Sequence, residues 1–282
     1  DPSLSGATYD WDTICTGEDW KYTHNYVHHT YTNVLGRDHD IGYGVMRMTR
    51  EQAWEPRFLL NVPMAAILST GFEWLLSLQR LELEKVIAGE KTLKEVYVQS
   101  ANLRKKMVRQ FGKDYVFFPL LAGPMFLPVL AGNAVANLIR NFWSSAVIYC
   151  GHFTEDAEMF EDNIENETRA DWYLRQIKGS SNFTGGNIIH FMSGNLSHQI
   201  EHHLFPDMPA NRYRDVAPQV QALCDEYGQH YNKASFAKQF GSVWVRLAVH
   251  SLPNNVVDTI GHSTSSIKQR FSRIFSRQAK AI

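Results

Sequence analysis

Two short histidine clusters limit what this chain can fold into more than any other feature of its sequence. The first reads HNYVHH over residues 24–29, and the second reads HQIEHH over residues 198–203. If each cluster lies on a helix, its first and fifth residues stack one turn apart and several nitrogen or oxygen atoms share one broad face. A buried imidazole needs partners for both ring nitrogens, and neighbouring cationic rings repel each other. The fold must therefore give these clusters a shared partner.

A pair of metal ions is the partner that the clusters predict. Imidazole ligands are typical of Zn, Cu, Fe and Ni sites rather than of Mg or Ca sites. Together the clusters offer five ligands or more, which exceeds what a single tetrahedral zinc ion takes. A lone histidine more often has a structural role, and we predict that role for the isolated residues His39, His230, His250 and His262.

The composition excludes several other classes of protein. The chain has 282 residues with 28 Lys and Arg against 29 Asp and Glu, and the resulting net charge of −1 argues against a nucleic-acid-binding surface. Hydrophobic residues make up 44%, which is enough for a large core. A mean hydropathy of −0.31 excludes a polytopic transporter but permits one or two membrane crossings. The three cysteines lie far apart, which is typical of a reducing compartment rather than of a disulfide framework or a zinc ribbon.

Two apolar segments approach the length of a membrane span. Residues 58–78 contain one asparagine and one glutamate as their only strongly polar members, and residues 115–150 are interrupted by three prolines and an arginine. Since a span needs about 20 mostly apolar residues, the first segment predicts one crossing. The second predicts a crossing over 115–137 and a further helix. The alternative is a pair of buried helices in a soluble bundle.

The charge pattern does not fix the membrane orientation. Residues 79–114, between the two apolar segments, carry more Lys and Arg than acid, which is typical of a cytoplasmic loop. If each apolar segment crosses once, this loop and the two histidine clusters lie on opposite faces of the membrane. That arrangement conflicts with histidine clusters on the cytoplasmic face.

The motifs around both clusters resemble those of one known family. HNYVHH with TYTN behind it, and QIEHHLFP, resemble the second and third histidine boxes of the integral-membrane fatty acid desaturases. GNLS before the third box, and ETRADWYLRQIKGSSNF upstream of it, are similar to the bacterial acyl-lipid or acyl-CoA branch. The resemblance extends from about Asp10 to about Tyr213, and QIEHHLFP is its most specific element.

The resemblance implies an all-α protein with a membrane-embedded helical hairpin and a cytoplasmic helical domain that carries the histidine-box metal site. It also implies an integral membrane location with the boxes on the cytoplasmic face. Members of the family hold two iron ions with histidines, and use dioxygen and two electrons to remove two hydrogens from a fatty acyl chain. The box histidines that the resemblance assigns as iron ligands are His24, His28, His29, His202 and His203.

Other residues near the boxes are further candidates. Gln199 occupies the position where many members place the first histidine of the third box, and His198 lies one position off that pattern. His152 resembles the additional histidine that the family places between the boxes, and we predict that it is a ligand and that its competitor His190 is not. The carboxylates that are candidates for orienting the rings, unless they are solvated surface charges, are Glu201, Glu155, Asp156 and Asp38.

The chain departs from the family pattern in one respect. The first histidine box, an H-x(3,4)-H pair, does not occur upstream of His24. We therefore interpret residues 1–262 as a single desaturase domain that lacks its N-terminal part and the ligands of that box. Residues 263–282 are predicted to be a basic tail, either a short amphipathic helix at a membrane surface or a frayed, solvated end.

The resemblance also predicts the partners. They are a fatty acyl substrate carried by CoA or lipid, dioxygen, membrane lipid and an electron donor, with no nucleic acid. Neither the HPGG signature of a cytochrome b5 haem domain nor a GxGxxG nucleotide fingerprint occurs in the sequence. The electrons must therefore come from a separate ferredoxin, cytochrome b5 or flavoprotein reductase, or from a portion outside this sequence.

Three rival functions compete with desaturation. A fatty acyl hydroxylase of the same di-iron type shares the histidine boxes and differs in its product. A membrane cytochrome with two histidines on a haem is a second rival, although the adjacent histidine pairs argue against it. A non-catalytic metal-binding protein is the third, because the first box is missing.

Overall fold

A computed structural model describes residues 10–259 of the chain, and helices dominate it. The predicted helical class is thus confirmed. A short parallel pair of strands, β1 (Asn182–Thr184) and β2 (Lys233–Ser235), accompanies the helices. His262 and the basic tail predicted over 263–282 lie outside the described residues.

The helices of the described residues are numbered in chain order. The α-helices α1 to α14 are, in sequence, Gly17–Trp20, His29–Tyr31, Asn61–Thr70, Phe72–Gln79, Leu83–Ile87, Leu93–Gln99, Ala101–Phe111, Phe118–Leu121, Phe126–His152, Arg169–Lys178, Gly186–Met192, Gln199–Leu204, Tyr213–Glu226 and Phe236–Ser251. The segments wound as π-helices are Lys21–His28 and Gly112–Phe117. The short 3₁₀ helices are Gly42–Gly44, Pro56–Leu60, Gly123–Met125, Ile164–Asn166 and Ala210–Arg212.

The first histidine cluster lies on a continuous helical stretch that runs from α1 through Lys21–His28 into α2. The sequence predicts α-helical winding here, but Lys21–His28 is a π-helix. Such turns are rare and frequently mark functional sites. The predicted stacking of His24 on His28 is present nevertheless, with ring centroids 4.9 Å apart.

The first apolar segment does not form the continuous span that the sequence predicts over 58–78. It is divided between α3 and α4, and the helical stretches Pro56–Thr70 and Phe72–Gln79 are bent by 111° at the break. Among residues 10–259 no single helix is long and apolar enough to cross a membrane, and this bent pair is the combination whose length and composition allow it.

The carboxylate of Glu73 gives a physical reason for the bend. Glu73 is 2% exposed at the start of α4, where it accepts a hydrogen bond from Gln110 at 2.9 Å and pairs with Arg140 of α9. A buried carboxylate requires such partners. A straight continuation of α3 would direct this residue away from the partners that α7 and α9 supply.

The second apolar segment leads into α9, which has 27 residues. Pro128 lies in its first turn, where the missing amide proton breaks no helical hydrogen bond. At 1.5 Å per residue the helix is roughly 40 Å long. α3, α4 and α14 pack against it, and side chains such as Phe72, Tyr149 and Leu247 form the main core with it. Its last residue, His152, is thereby held at the end of a rigid element.

The second histidine cluster lies on the short helix α12, which packs against α10 and α13. Asn182 of β1 fixes the start of α12, because its Oδ1 accepts a hydrogen bond from Ile200 N at 2.9 Å. Asn182 Nδ2 and the Tyr231 hydroxyl both donate to the buried Glu201 carboxylate at 2.8 Å. The pairing of β1 with β2 positions Tyr231 for this contact.

A buried arginine on α10 forms hydrogen bonds with the backbone that directly follows the first histidine cluster. Arg175 is 4% exposed and donates to the carbonyls of Thr30 and Thr32 at 3.0 and 3.2 Å. Its guanidinium also forms two hydrogen bonds with Glu167, at 2.6 and 2.7 Å. α10 is therefore tied directly to the residues that follow the first histidine cluster.

Candidate metal centre

Three imidazoles from distant parts of the chain converge in a first candidate ligand group, which we name the inner group. It consists of His28, His152 and His203, which are 1%, 2% and 0% exposed. His152 Nε2 lies 3.3 Å from His28 Nε2 and 3.1 Å from His203 Nε2. Each of the three histidines thus directs a ring nitrogen into one small space.

Each Nδ1 atom of the inner group faces an oxygen acceptor. The partners of His28, His152 and His203 are, respectively, Asp38 Oδ2 at 2.8 Å, the Gly179 carbonyl at 3.2 Å and Gln176 Oε1 at 2.9 Å. Each Nδ1 therefore donates a hydrogen bond, and a neutral ring then carries a bare lone pair on Nε2. Lone pairs that face each other at such short distances repel one another unless a cation lies between them. The inner group fits a metal ion for this reason.

A second set of imidazoles, which we name the outer group, consists of His24, His29 and His202. His24 Nδ1 lies 3.2 Å from Asp40 Oδ2, and His202 Nδ1 lies 3.1 Å from the Tyr213 hydroxyl. His29 Nδ1 is buried and has no hydrogen-bond partner within residues 10–259. Among the six rings of the two groups, His29 therefore lacks the Nδ1 partner that each of the other five has within the described residues.

The inner and outer groups lie side by side. The rings of His29 and His203 stack with centroids 4.4 Å apart, and His24 stacks on His28 at 4.9 Å. Each stacked pair joins one ring of the inner group to one ring of the outer group. Two groups of three nitrogen ligands suit two transition-metal ions, and three protein ligands leave coordination positions open for chemistry.

Electrostatics keep most of these rings neutral, as metal binding requires. Burial, aided by repulsion between neighbouring rings, lowers the pKa well below its usual value for His24, His29 and His203. Burial and the nearby His28 lower the pKa of His202 to about 4. His28 is the exception: burial opposes its charged form, but the adjacent Asp38 outweighs burial and raises its pKa.

A tight loop after the first cluster supplies two carboxylates. Asp38 is 5% exposed, and its carboxylate accepts hydrogen bonds from Asn33 N at 2.8 Å and Asp40 N at 3.0 Å. These bonds fix the carboxylate that orients His28. Asp40 is absent from the sequence-based candidates, yet it forms a further possible ligand group with His24 and His28. In the sequence, Asp40 could be found only from its position two residues after Asp38.

Several other sequence candidates lie outside both groups. His190 Nδ1 is 2.7 Å from Ser197 Oγ, which is 3.2 Å from His198 Nδ1, so His190 and His198 form a separate pair. Within the described chain, the isolated histidines His39, His230 and His250 also belong to neither group.

The carboxylates that the sequence suggests for orienting the rings differ in their exposure and contacts. Glu155 and Asp156 are exposed, as the alternative of solvated surface charges predicts, and the Gly179 carbonyl rather than either acid contacts His152 Nδ1. Glu201 is fully buried but binds Asn182 and Tyr231 rather than an imidazole. Among these acids, Asp38 is the one that contacts a clustered ring.

Sequence reasoning missed three partners of the rings: Gln176, Tyr213 and the Gly179 carbonyl. Gln176 and Gly179 lie within the family-like stretch ETRADWYLRQIKGSSNF, so a closer reading of that motif would have included them. Tyr213 lies beyond the third box, and its spacing from His202 carries no recognisable pattern. Its role depends on how α13 packs against α12.

Gln199 fills the position where many relatives have a histidine. Its Nε2 lies 3.0 Å from His152 Nε2, so the amide touches the inner group without belonging to it. The side chain crosses Gly151 so closely that a Cβ there would lie 2.9 Å from Gln199 Cγ. Gly151 therefore provides the space in which Gln199 reaches His152.

Replacing Gly151 with alanine should displace Gln199 from His152. The added methyl would overlap the middle of the Gln199 side chain, and overpacking of this kind costs about 1–3 kcal/mol. Thermal unfolding of the purified protein in detergent should therefore show a lower midpoint. Gly132→Ala on the same helix is the matched control, because nothing lies within 4 Å of its added Cβ. Equal midpoints for the two variants would contradict the packing described for Gly151.

The fold and the site together define a class of protein. A mainly helical chain brings two histidine boxes and the end of α9 together into two adjacent groups of imidazoles, which places it among helical proteins with a histidine-rich candidate metal site. The sequence profile described as "Fatty acid desaturase" matches residues 5–235. The chain belongs to the fatty acid desaturase family.

Curated relatives extend over most of the chain. The chain is 45% identical over 259 residues to the NADPH-dependent stearoyl-CoA 9-desaturase of Mycobacterium tuberculosis. This alignment covers 90% of the chain and 61% of that relative. It is 30% identical over 247 residues to the sn-1 linoleoyl-lipid 6-desaturase of Synechocystis sp.. This alignment covers 83% of the chain and 68% of that relative. The chain thus spans about three-fifths of the mycobacterial protein. No solved structure gives a significant match.

Proposed function

We propose that this chain belongs to a membrane-bound, oxygen-dependent fatty acyl desaturase that holds two iron ions in the inner and outer groups. The proposed ligands are His24, His28, His29, His152, His202 and His203. The observation that carries the proposal is the convergence of three Nε2 atoms in the inner group beside a second group of imidazoles. The names of the relatives support the reaction.

The residues of the chain have distinct tasks in this proposal. Dioxygen would be the oxidant that removes two hydrogens from the acyl chain, with two further electrons from the donor, and bound iron would supply the activation of dioxygen that no side chain provides. Asp38, Gln176 and the Gly179 carbonyl hold the protons of the inner rings on Nδ1 and so keep Nε2 free. The Gln199 amide lies against His152 at Nε2.

We assign the acyl chain to an apolar groove of about 580 Å³ beside Asp38. Its apolar lining includes Ile41, Met64, Leu68 and Leu75. Tyr43 lines this groove and also a small space beside His24, His28 and His152. An acyl chain in the groove would therefore contact Tyr43, which also borders the space beside these three histidines.

The acyl carrier and the electron donor are proposed from the relatives. The mycobacterial relative is named for stearoyl-CoA and the Synechocystis relative for a linoleoyl lipid, so the substrate is an acyl-CoA or an acyl-lipid. The mycobacterial relative is also named as NADPH-dependent. We propose that NADPH electrons reach the chain through a separate ferredoxin, cytochrome b5 or flavoprotein reductase.

We further propose that the bent pair α3–α4 and the first half of α9 lie in the membrane, with the histidine boxes at the cytoplasmic face. Large apolar side chains from α8 and α9 are exposed in the described part of the chain, including Leu120, Leu121, Leu127, Val135 and Ile139. A contiguous apolar surface of this kind is typical of contact with lipid or with another protein segment.

The full-length protein is expected to bind two irons per chain and to convert a saturated acyl chain into an alkene. Metal analysis by mass spectrometry tests the stoichiometry, and gas chromatography of methylated fatty acids tests the product. One zinc without iron would contradict the di-iron site. An alcohol product would favour the hydroxylase, and a Soret band would favour a haem protein.

A further inference from the structure

The inner and outer groups differ in the hydrogen-bond acceptors that contact the Nδ1 atoms of their imidazole rings. A ligating imidazole donates its second N–H to an acceptor, which fixes the tautomer and makes the ring a stronger ligand. Losing such an acceptor typically lowers metal affinity by about 10–100-fold. The quality of these acceptors therefore bears directly on how tightly each group holds its ion.

Every ring of the inner group has an oxygen acceptor at its Nδ1. Two oxygens, those of Asp38 and Gln176, lie within 2.9 Å of their Nδ1 atoms, and the Gly179 carbonyl completes the set at 3.2 Å. Asp38 is itself held by two backbone N–H groups. The inner group is thus orientated before any metal enters.

The outer group has weaker support. His29 Nδ1 has no partner within the described residues, and His24 shares Asp40 Oδ2 with His28, at 3.2 and 3.8 Å respectively. His202 relies on the neutral phenol of Tyr213 at 3.1 Å, and it is more exposed than the rings of the inner group. A phenol is a poorer acceptor than a carboxylate.

We propose that the two metal positions bind unequally, so that the inner group takes the first ion and holds it more tightly, and that Tyr213 is the positioning residue on which binding at the outer group depends. This inference rests on the two-metal site of the proposed function. Tyr213 is 2% exposed, and its ring packs against His202 with centroids 5.8 Å apart.

The role of Tyr213 follows from the tautomer of His202. If His202 binds metal through Nε2, its Nδ1 must carry the proton and donate it to the phenol oxygen. Without that oxygen, Nδ1–H is left in a largely buried position with no acceptor, and the ring can shift its proton to Nε2, where it blocks the ligand lone pair. Tyr213→Phe removes the oxygen and keeps the packing of the ring.

The test is a titration of metal-free, full-length protein in detergent with ⁵⁷Fe(II) under anaerobic conditions, followed by Mössbauer spectroscopy. At one equivalent, a single quadrupole doublet is expected, and the second equivalent should add a different doublet. Tyr213→Phe should weaken the second binding step by about 10–100-fold and leave the first unchanged. Gln176→Met should weaken the first step instead.

Tyr231→Phe is the matched control. It removes another buried hydroxyl that bonds to α12, but its partner is Glu201 rather than an imidazole. Circular dichroism should show that all variants are folded, and Tyr231→Phe should leave both binding steps unchanged.

The outcomes separate this inference from the proposed function. Fewer than two irons in the wild-type protein would contradict the di-iron site and the inference with it. Two irons whose doublets grow in parallel from the first addition would overturn unequal binding and leave the di-iron site intact. An unchanged second step in Tyr213→Phe, or an equal loss in Tyr231→Phe, would overturn the positioning role.

Discussion

Replacing His28 with alanine in the full-length protein is expected to abolish product formation and to leave the protein in the membrane fraction. His28 Nε2 faces His152 Nε2 at 3.3 Å, so the variant loses one of three nitrogens of the inner group. The buried Asp38 carboxylate would also lose its imidazole partner. Because loss of a residue that merely orients a ligand costs about 10–100-fold, loss of a ligand should exceed about 100-fold.

Fatty acid analysis of expressing cells, with an immunoblot of the membrane fraction, checks this result. His202→Ala tests the outer group in the same assay and should also abolish the product. The control is His230→Ala, whose side chain is 68% exposed and lies outside both groups. A normal product yield from His28→Ala would remove His28 from the site.

Replacing Arg175 with methionine is expected to destabilise the fold by about 3–5 kcal/mol, the usual cost of removing one partner of a buried ion pair. The change leaves Glu167 without its cation and strips the carbonyls of Thr30 and Thr32 of their donor. Because these carbonyls follow the first histidine cluster directly, iron content should fall together with the unfolding midpoint. Thermal unfolding in detergent and metal analysis measure the two effects.

Arg169→Met is the matched control for Arg175. Both residues lie on α10, but Arg169 is exposed, and it donates a hydrogen bond to the Tyr173 hydroxyl. Surface changes of this kind usually alter stability by less than about 0.5 kcal/mol. If both variants unfold at the same temperature, Arg175 does not stabilise the backbone that follows the first histidine cluster.

The parts of the site that the sequence predicts best are those with a local pattern. Each histidine box is a contiguous motif on one helix, so its residues were identifiable before any fold was known. The long apolar segment before His152 favours it over His190 as a ligand, and His152 lies at the end of α9 within the inner group. The helical class followed from the same patterns and from the family resemblance.

The parts that the sequence does not predict depend on contacts between distant residues. The 111° bend near Gly71 depends on a carboxylate that finds its partners in α7 and α9. The acceptor behind His152 is a backbone carbonyl, which has no side-chain signature. Tyr213 likewise acquires its contact with His202 from the packing of α13, and no spacing rule gives it. Composition and motif spacing contain no information on such pairings.

The parallel pairing of β1 with β2 has a consequence for the order in which the protein is made. The strand that positions the third box is completed at Ser235, whereas the first box ends at His29. At a synthesis rate of about 5–20 residues per second, roughly 10–40 seconds separate the emergence of these two segments from the ribosome. The early histidines therefore exist for that time without the partners that complete either group. Both groups are thus complete only after the chain has been made at least as far as His203.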